Sequence, residues 1–560
     1  RSWHLTAPLR GAWRYFNFNE KYYLENNPDV AASGMDAFEH YENYGQFEGR
    51  SATAPSLLQT ARQTACSLSR SIRYEGGVTQ SFRALVLVYK TEGIVGVKKR
   101  FDLVLSNAAR NNYAKWIQHY ESRTEQDRRT LSQNADKWSN KPLISILMPT
   151  YNTKLMWLQE AVESVRSQVY DNWELCIADD ASNEQEVLDF LRQLSSKDGR
   201  IKIKFREQNG HISAASNSAL EMCSGTWVAL MDHDDLLSDH ALFHVVDTIN
   251  RNPDAQLLYS DEDKIGADGQ RSDPYFKCAW NPDLFLSHNM ISHLGVYKTE
   301  LLRKIGGFRI GFEGSQDHDL ALRYIDEIQQ QGIHHIPRVL YHWRKHEEST
   351  ASSSSAKPYA MIAGEKAIQD HFNRHDISAS VEWSGVGYRV RYRIPEPAPL
   401  VTLIIPTRNG LDLLRTCVTS IIERTTYENY EIVIIDNGSD DKEIIRYFSG
   451  LEKHRNIRVI RDDRPFNYAA LNNSAVKHAN GEYIGLLNND IEVIEPDWLQ
   501  EMLGIAIQPG VGAVGAKLLY PDDTVQHAGV VLGIGGVGNH AFKHFKDSDP
   551  GYFGRAQVIS

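Results

Sequence analysis

The sequence predicts an α/β chain carrying two tandem copies of a Rossmann-like domain, the second incomplete, behind a small helical N-terminal region. Three observations predict it. Four motif blocks recur in one order at one offset. The apolar runs within each copy are short, rich in β-branched residues, and followed by helical periodicity. The residues before position 140 share none of these blocks.

The repeat comes first because it sets the architecture. Ile-Ser-Ile-Leu-Met-Pro-Thr-Tyr-Asn at 144–152 returns as Val-Thr-Leu-Ile-Ile-Pro-Thr-Arg-Asn at 401–409. Leu-Cys-Ile-Ala-Asp-Asp-Ala-Ser at 175–182 returns as Ile-Val-Ile-Ile-Asp-Asn-Gly-Ser at 432–439. Ala-Ser-Asn-Ser-Ala at 215–219, which contains Asn217, returns as Leu-Asn-Asn-Ser-Ala at 471–475. Gly-Thr-Trp-Val-Ala-Leu-Met-Asp-His-Asp at 225–234 returns as Gly-Glu-Tyr-Ile-Gly-Leu-Leu-Asn-Asn-Asp at 481–490. The offset is 257 from Pro149 to Pro406, 257 from Asp180 to Asn437, and 256 from Asp234 to Asp490.

Each element follows from local pattern. A short apolar β-branched run reads as a buried parallel strand, and here it ends in Pro149-Thr150 and a polar turn. Residues 155–168 then place Leu155, Leu158, Val162 and Val165 three or four apart, the spacing of one helix face. A second strand ends in Asp179-Asp180. Such βαβ units bind ligands at the carboxyl ends of their strands, where Pro149, Thr150, Asp179 and Asp180 stand.

The expected divisions are 1–55, a small helical module dense in aromatics; 56–139, a linker and helical segment; 140–395, the first copy; and 396–560, the second. Ala-Ser-Ser-Ser-Ser at 351–355 reads as a mobile polar stretch, and Pro-Glu-Pro-Ala-Pro at 395–399 as a stiff linker.

Composition narrows the function. A chain of 560 residues exceeds one hydrophobic core. Its 41% hydrophobic and 24% charged residues are those of an ordinary globular protein. A net charge of -11 excludes a general nucleic-acid binder, which needs a basic face, and leaves room for a local patch that meets a membrane. Cys66, Cys176, Cys223, Cys278 and Cys417 form no CxxC pair, no Cys/His cluster has zinc spacing, and a reducing cytosol is the expected compartment. No apolar run approaches the roughly 20 residues that span a bilayer. Both termini read as fragment ends.

Sugar transfer from a nucleotide donor needs a grip on the nucleotide, a divalent cation for the diphosphate, and a base for the acceptor hydroxyl. Asp232-His233-Asp234-Asp235 follows the apolar run 227–231, so its carboxylates can share one site. Oxygen ligands of this kind suit Mn²⁺ or Mg²⁺. Asp317 lies 83 residues beyond Asp234 at the start of an expected helix, as a general base or as a dipole-complementing carboxylate. Asp319 reads as structural or as a hydrogen-bonding partner within the site. His342 ends an apolar run beside Arg344; its imidazole suits Mn²⁺, Arg344 suits phosphate, and His346 is a weaker candidate.

Taken together, Pro149-Thr-Tyr-Asn152, Asp179-Asp-Ala-Ser182, Asp232-His-Asp-Asp235, Gly306-Gly-Phe308, Gly314-Ser-Gln-Asp317 and His342-Trp-Arg344 resemble glycosyltransferase family 2, the inverting enzymes of GT-A fold. The resemblance covers 140–350 and 399–560 and implies two GT-A domains of the bacterial surface-polysaccharide, O-antigen type. It implies that Asp180 contacts the nucleotide base, that Asp232 faces ribose or diphosphate, that Asp234 holds the metal and that Asp317 is the base. The expected donor site is Pro149, Thr150, Tyr151, Asn152, Asp179, Asp180, Asn217, Asp232, His233 and Arg344, with Asp234 and His342 on the metal. Gln316 departs from the family, where many relatives carry an acidic residue. The second copy matches at Pro406, Thr407, Asp436, Asn437, Asn488 and Asp490. Its Asn437 and Asn488 stand where the first copy has carboxylates, and its base would fall near position 573.

The implied activity is metal-dependent, inverting transfer from a UDP- or dTDP-sugar to a lipid-linked or glycan acceptor. Its implied place is the cytoplasm, peripheral at the inner face of the cell membrane. Two other readings stand beside it. A sugar nucleotidyltransferase would carry a Gly-rich phosphate loop where this chain has Pro149-Thr-Tyr-Asn-Thr-Lys154. A non-catalytic glycan- or nucleotide-binding scaffold fits the second copy better than the first.

Overall fold

The structure, a computed structural model, describes residues 113–121, 123–345, 358–532 and 538–556, with Tyr23, Leu24, Val30 and Ala37 as isolated positions. Apart from those four positions the N-terminal aromatic module lies outside the described residues, as do the Ser-rich stretch at 351–355 and His346. Residues 1–122 and 123–560 are separate compact units. In the first, the described helix Tyr113–Tyr120 stacks Tyr113 on Trp116 at 5.5 Å.

The second unit starts at Arg123, earlier than position 140, because the helix Glu125–Asp136 packs into the first copy. Thr124 and Asp127 close a capping box at its start, and Arg128 reaches Asp239 at 2.8 Å.

Continuous apolar runs become the centre of the sheet. β1 (Ile144–Thr150) and β2 (Trp173–Asp179) are buried at every position. With β3 (Ile201–Phe205) and β4 (Trp227–Leu230) they form a parallel set in the order β3-β2-β1-β4. Alternation sorts β1 onto two faces. Ile144, Ile146 and Met148 pack with Leu158 and Val162 of the helix Leu155–Arg166, whereas Leu147 packs with Ala219 and Leu220 of the helix His211–Met222.

Beyond β4 the sheet turns antiparallel. β8 (Gly295–Lys298) joins β4 to β6 (Leu257–Ile265), and β6 runs parallel to the long β9 (Ile333–Arg344). β5 (Leu236–Leu237) and β7 (Arg271–Tyr275) pair with β9 and β6. The β6–β9 register shifts twice, at Ser260/Asp261 and Asp261/Glu262. Bulges re-aim side chains, and here Asp261, Glu262 and Asp263 are all buried.

After the hairpin of β10 (Ala379–Trp383) and β11 (Tyr388–Tyr392), the second copy rebuilds the same parallel order. β12 (Val401–Thr407), β13 (Tyr430–Asp436), β14 (Ile457–Arg461) and β15 (Tyr483–Leu486) run β14-β13-β12-β15, with Thr407 opposite Asp436 as Thr150 is opposite Asp179. The 395–399 segment between the copies is anchored: Pro399 O accepts from Tyr427 and Ala398 O from Asn429.

A polar staple at the far end of the sheet repeats as well. Glu174 accepts from Ser145 Oγ at 2.6 Å, Ser145 Oγ accepts from Gly225 N–H at 2.9 Å, and Lys202 sits 2.7 Å from Glu174. Glu431, Thr402, Gly481 and Arg458 repeat this at 2.7, 2.8 and 3.0 Å. The glycine is required by close approach: a Cβ at Gly225 would lie 2.5 Å from Leu143 O, and one at Gly481 2.8 Å from Leu400 O.

Candidate active site

The site forms where β1, β2 and β4 end. Asn152 adopts φ 43° after β1, and its N–H donates to Ser182 Oγ at 2.9 Å while its Oδ1 accepts from Asn183 N–H at 2.8 Å. Asp179 Oδ2 accepts from Ser182 N–H at 3.1 Å. These bonds lace the two turns together and leave Thr150 Oγ1 and Asp179 Oδ1 buried without a partner in the protein. Buried polar atoms are nearly always satisfied, and this pair at the strand ends is an exception. Tyr151 is exposed beside it. Asp180 is held by Arg206 Nε at 2.7 Å and Gly210 N–H at 3.0 Å.

The acidic turn is fixed from beneath. His233 Nδ1 contacts Pro149 O at 3.2 Å, tying the turn to β1. Asp235 is fully buried; it accepts from Tyr341 OH at 2.6 Å and from Arg344 N–H at 2.7 Å. Burial, with Asp234 and Asp232 alongside, raises its carboxyl well above the ordinary carboxylate range. Tyr341 OH in turn accepts from Asp232 N–H at 3.1 Å. The Arg344 guanidinium donates to Asp234 O and to Glu160, each at 2.6 Å, so it shapes this turn.

One cluster of donor atoms could hold a cation, and it differs from the expected pair Asp234 and His342. Asp232, Asp235 and His293 place donor atoms within 4.8 Å of one another. His293 follows the short helix Pro282–Ser287 in the segment 280–293 and stacks on Tyr341 at 4.4 Å. The buried Lys277 fixes that segment, donating to Glu262 at 3.0 Å, Ile291 O at 2.7 Å and His293 O at 2.5 Å. His342 does not join the set. β9 continues through it rather than ending before it, so its Nδ1 meets Asp263 at 2.6 Å and its Nε2 meets Ser238 at 3.1 Å.

Asp317 opens the helix Gln316–Ile325 at the same mouth. Its Oδ2 accepts from Asn289 of the loop at 2.7 Å. Burial raises its carboxyl, with His293 working against the rise and Asp232 adding to it. Two residues on, Asp319 is wholly buried between Arg309 and Arg323, a structural ion cluster. Asn217 uses both ends of its amide on the backbone of Phe308, at 2.8 Å each, and so holds the Gly306-Gly307 turn.

In the second copy Asp436 is paired with Arg461 at 2.7 Å, and Thr407 Oγ1 accepts from Asn489 at 3.0 Å. Asn437 donates to Asp462 O at 2.9 Å and Arg464 O at 2.8 Å, and its Oδ1 is buried without a partner. Pro406 is the penultimate strand residue as Pro149 is, whereas Asn488 and Asp490 are exposed.

Two parallel half-sheets with this motif set match the family model "Glycosyl transferase family 2" over residues 145–306 and 402–547. The chain belongs to glycosyl transferase family 2. It is 49% identical over 431 residues to the uncharacterized protein y4gI of Sinorhizobium fredii, covering 76% of this chain and 47% of that protein. It is 40% identical over 422 residues to the O-antigen biosynthesis protein RfbC of Myxococcus xanthus, covering 75% of this chain and 33% of that protein. The chain thus spans less than half the length of either relative. Among solved structures, S. aureus TarS 1-349 with UDP-GlcNAc aligns at TM-score 0.33 and 20% identity, over 41% of this chain and 72% of that one. Two segments of the chain thus carry the family's domain.

Proposed function

We propose that the first copy transfers a glycosyl group, with inversion, from a UDP- or dTDP-sugar to a growing cell-surface glycan. The observation that carries this reading is one mouth holding two orphaned polar atoms, a crowded acidic turn with an imidazole, and a carboxyl of raised proton affinity. The name of the M. xanthus relative supports the glycan class.

The residues fit a divalent cation. Burial first, and the neighbouring Asp234 and Asp232 second, raise the proton affinity of Asp235, and a cation would relieve that crowding of carboxylates. Asp232, Asp235 and His293 would hold it, with Asp234 in the same turn, and Mn²⁺ or Mg²⁺ would there neutralise the diphosphate leaving group. Thr150 and Asp179 bind the nucleotide, and Asp180, set by Arg206, faces its base. Asp317, oriented by Asn289, takes the proton of the acceptor hydroxyl. As that oxygen bonds to the anomeric carbon, the bond from carbon to the phosphate oxygen breaks and the nucleotide departs. The acceptor is a lipid-linked or free glycan, met at the inner face of the membrane.

For the second copy we propose a supporting role towards the first site. Tyr552 OH donates to Pro274 O at 2.6 Å and accepts from Phe276 N–H at 2.8 Å, and Phe553 stacks on Tyr275 at 3.9 Å. Tyr275 OH meets His288 Nε2 at 2.8 Å, in the loop that carries Asn289 and His293.

The test is turnover of a nucleotide-sugar panel by the chain and by Asp317→Asn. Loss of transfer with nucleotide binding kept supports the assignment; near-normal transfer by the variant removes Asp317 as the base.

A further inference from the structure

Away from the site, Asp326 ends the helix Gln316–Ile325, and His371 lies in the last turn of the helix Pro358–Arg374 with His375 just beyond it. His371 Nδ1 and His375 Nε2 each lie 2.8 Å from Asp326 Oδ1. The three donor atoms fall within 4.8 Å of one another. The sequence offered no Cys/His zinc spacing, but a 3.6-residue helix puts positions four apart on one face, and the fold brings the carboxylate to them.

We propose that Asp326, His371 and His375 form a site for a divalent transition-metal ion of the zinc class, separate from the acidic turn. Four observations carry it. The donor set, two imidazoles and one carboxylate oxygen, is what zinc takes with a water as fourth ligand. Tetrahedral donors about 2.0–2.1 Å from zinc lie roughly 3.3 Å apart, so the present spacing needs about half an ångström of adjustment. His371 Nδ1 is buried and, despite its nearness to Asp326, is not aligned to hydrogen-bond with it. His375 Nε2 hydrogen-bonds Asp326 Oδ1 at 2.8 Å without the ion, so metal binding would replace that proton, whereas His371 Nδ1 already lacks one to share. Finally, the negative ends of both helix dipoles meet here, which disfavours Asp326 alone and favours an added cation. Arg374 occupies Oδ2 at 2.8 Å and leaves Oδ1 as the single ligand oxygen.

The ion would staple the two helices at the end opposite Asp317. At the other end Ser315, which precedes that helix, already donates to Ala360 O at 2.7 Å. A filled site therefore stiffens the helix that presents Asp317 without touching the chemistry.

The test uses the tag-free chain, stripped of metal and titrated with Zn²⁺ and, separately, Co²⁺. His375→Gln is the main variant, because His375 is exposed and its loss leaves packing intact; His371→Gln and Asp232→Asn accompany it. The expected result is one more equivalent of zinc in wild type than in His375→Gln. The intense visible bands of tetrahedral Co²⁺ and a zinc-dependent rise in Tm of several degrees should accompany that equivalent. All three signals persist in Asp232→Asn, which separates this site from the acidic turn. Equal zinc stoichiometry and an equal Tm rise in wild type and His375→Gln overturn the proposal and leave two histidines paired with a carboxylate.

Discussion

At the residue scale, proton affinity separates the carboxylates of the mouth. Asp317 is raised from its ordinary 3.8, so the acid limb of kcat/KM should lie above that value. Asp317→Asn should lower kcat by about 10²–10⁴-fold, with nucleotide affinity unchanged in calorimetry. Asp235 is raised as well, so Mn²⁺ binding releases protons and strengthens as pH rises towards neutrality. Calorimetry in two buffers of different ionisation heat reads that release. Glu174 shifts the other way. Burial works to raise it, but Lys202, Ser145 and Ser224 bring it from 4.5 to about 2. Its contribution of about 3 kcal/mol is present above pH 4.5 and is lost as pH falls towards 2. Glu174→Gln should therefore lower stability at pH 7 and flatten the loss on acidification, as urea melts at pH 7 and pH 3 would record. Motifs made the residues at strand ends legible: Thr150, Asp179 and the 232–235 turn all stand at the mouth. They did not reveal His293, which sits 61 positions from Asp232 in a loop with no repeat or periodicity. They did suggest His342, whose neighbourhood depends on the β6–β9 register and is not written locally.

At the element scale, the segment 280–293 depends on one buried ammonium. Lys277 is held by Glu262 and two carbonyls, and burial pulls its proton affinity below the usual lysine value. Lys277→Ala leaves the Glu262 charge buried without its counter-ion, with the His293 N–H its remaining partner, a loss of about 3–5 kcal/mol. Lys277→Met with Glu262→Gln should recover much of that stability, yet leave His293 and Asn289 poorly placed. The double variant should thus show a near-normal Tm with weakened Mn²⁺ binding. The periodicity at 155–168 matched its helix because an amphipathic surface helix carries its burial in its own sequence. The acidic strand Leu257–Ile265 shows no such pattern: two register shifts and the partners Lys277, His335 and Arg271 place its charges inside.

At the scale of the whole molecule, the two copies share a parallel half-sheet and a glutamate staple, and their contacts among the described residues include two with side-chain anchors. Arg391 of β11 bonds Asp497 and Glu501 at 2.7 Å each. The segment Tyr552–Gly554 docks on Tyr275. Phe553→Ala should loosen the second contact and speed proteolytic cleavage within 270–293, with the Tm of the first copy unchanged. The repeat offset made this architecture legible, because one substitution pattern had to satisfy one fold twice. The docking contact was not legible, since aromatic residues near 552 carry no partner in their own sequence. The most direct test of the donor site is a thermal-shift titration of the chain with UDP, dTDP and GDP, with and without Mn²⁺, repeated with Asp232→Asn. At 100 times the dissociation constant a ligand adds about 2.7 kcal/mol. A Mn²⁺-dependent rise with one pyrimidine nucleotide, lost in Asp232→Asn, is the predicted result. A folded chain that shifts with none of the three, or a variant that shifts like wild type, would contradict it.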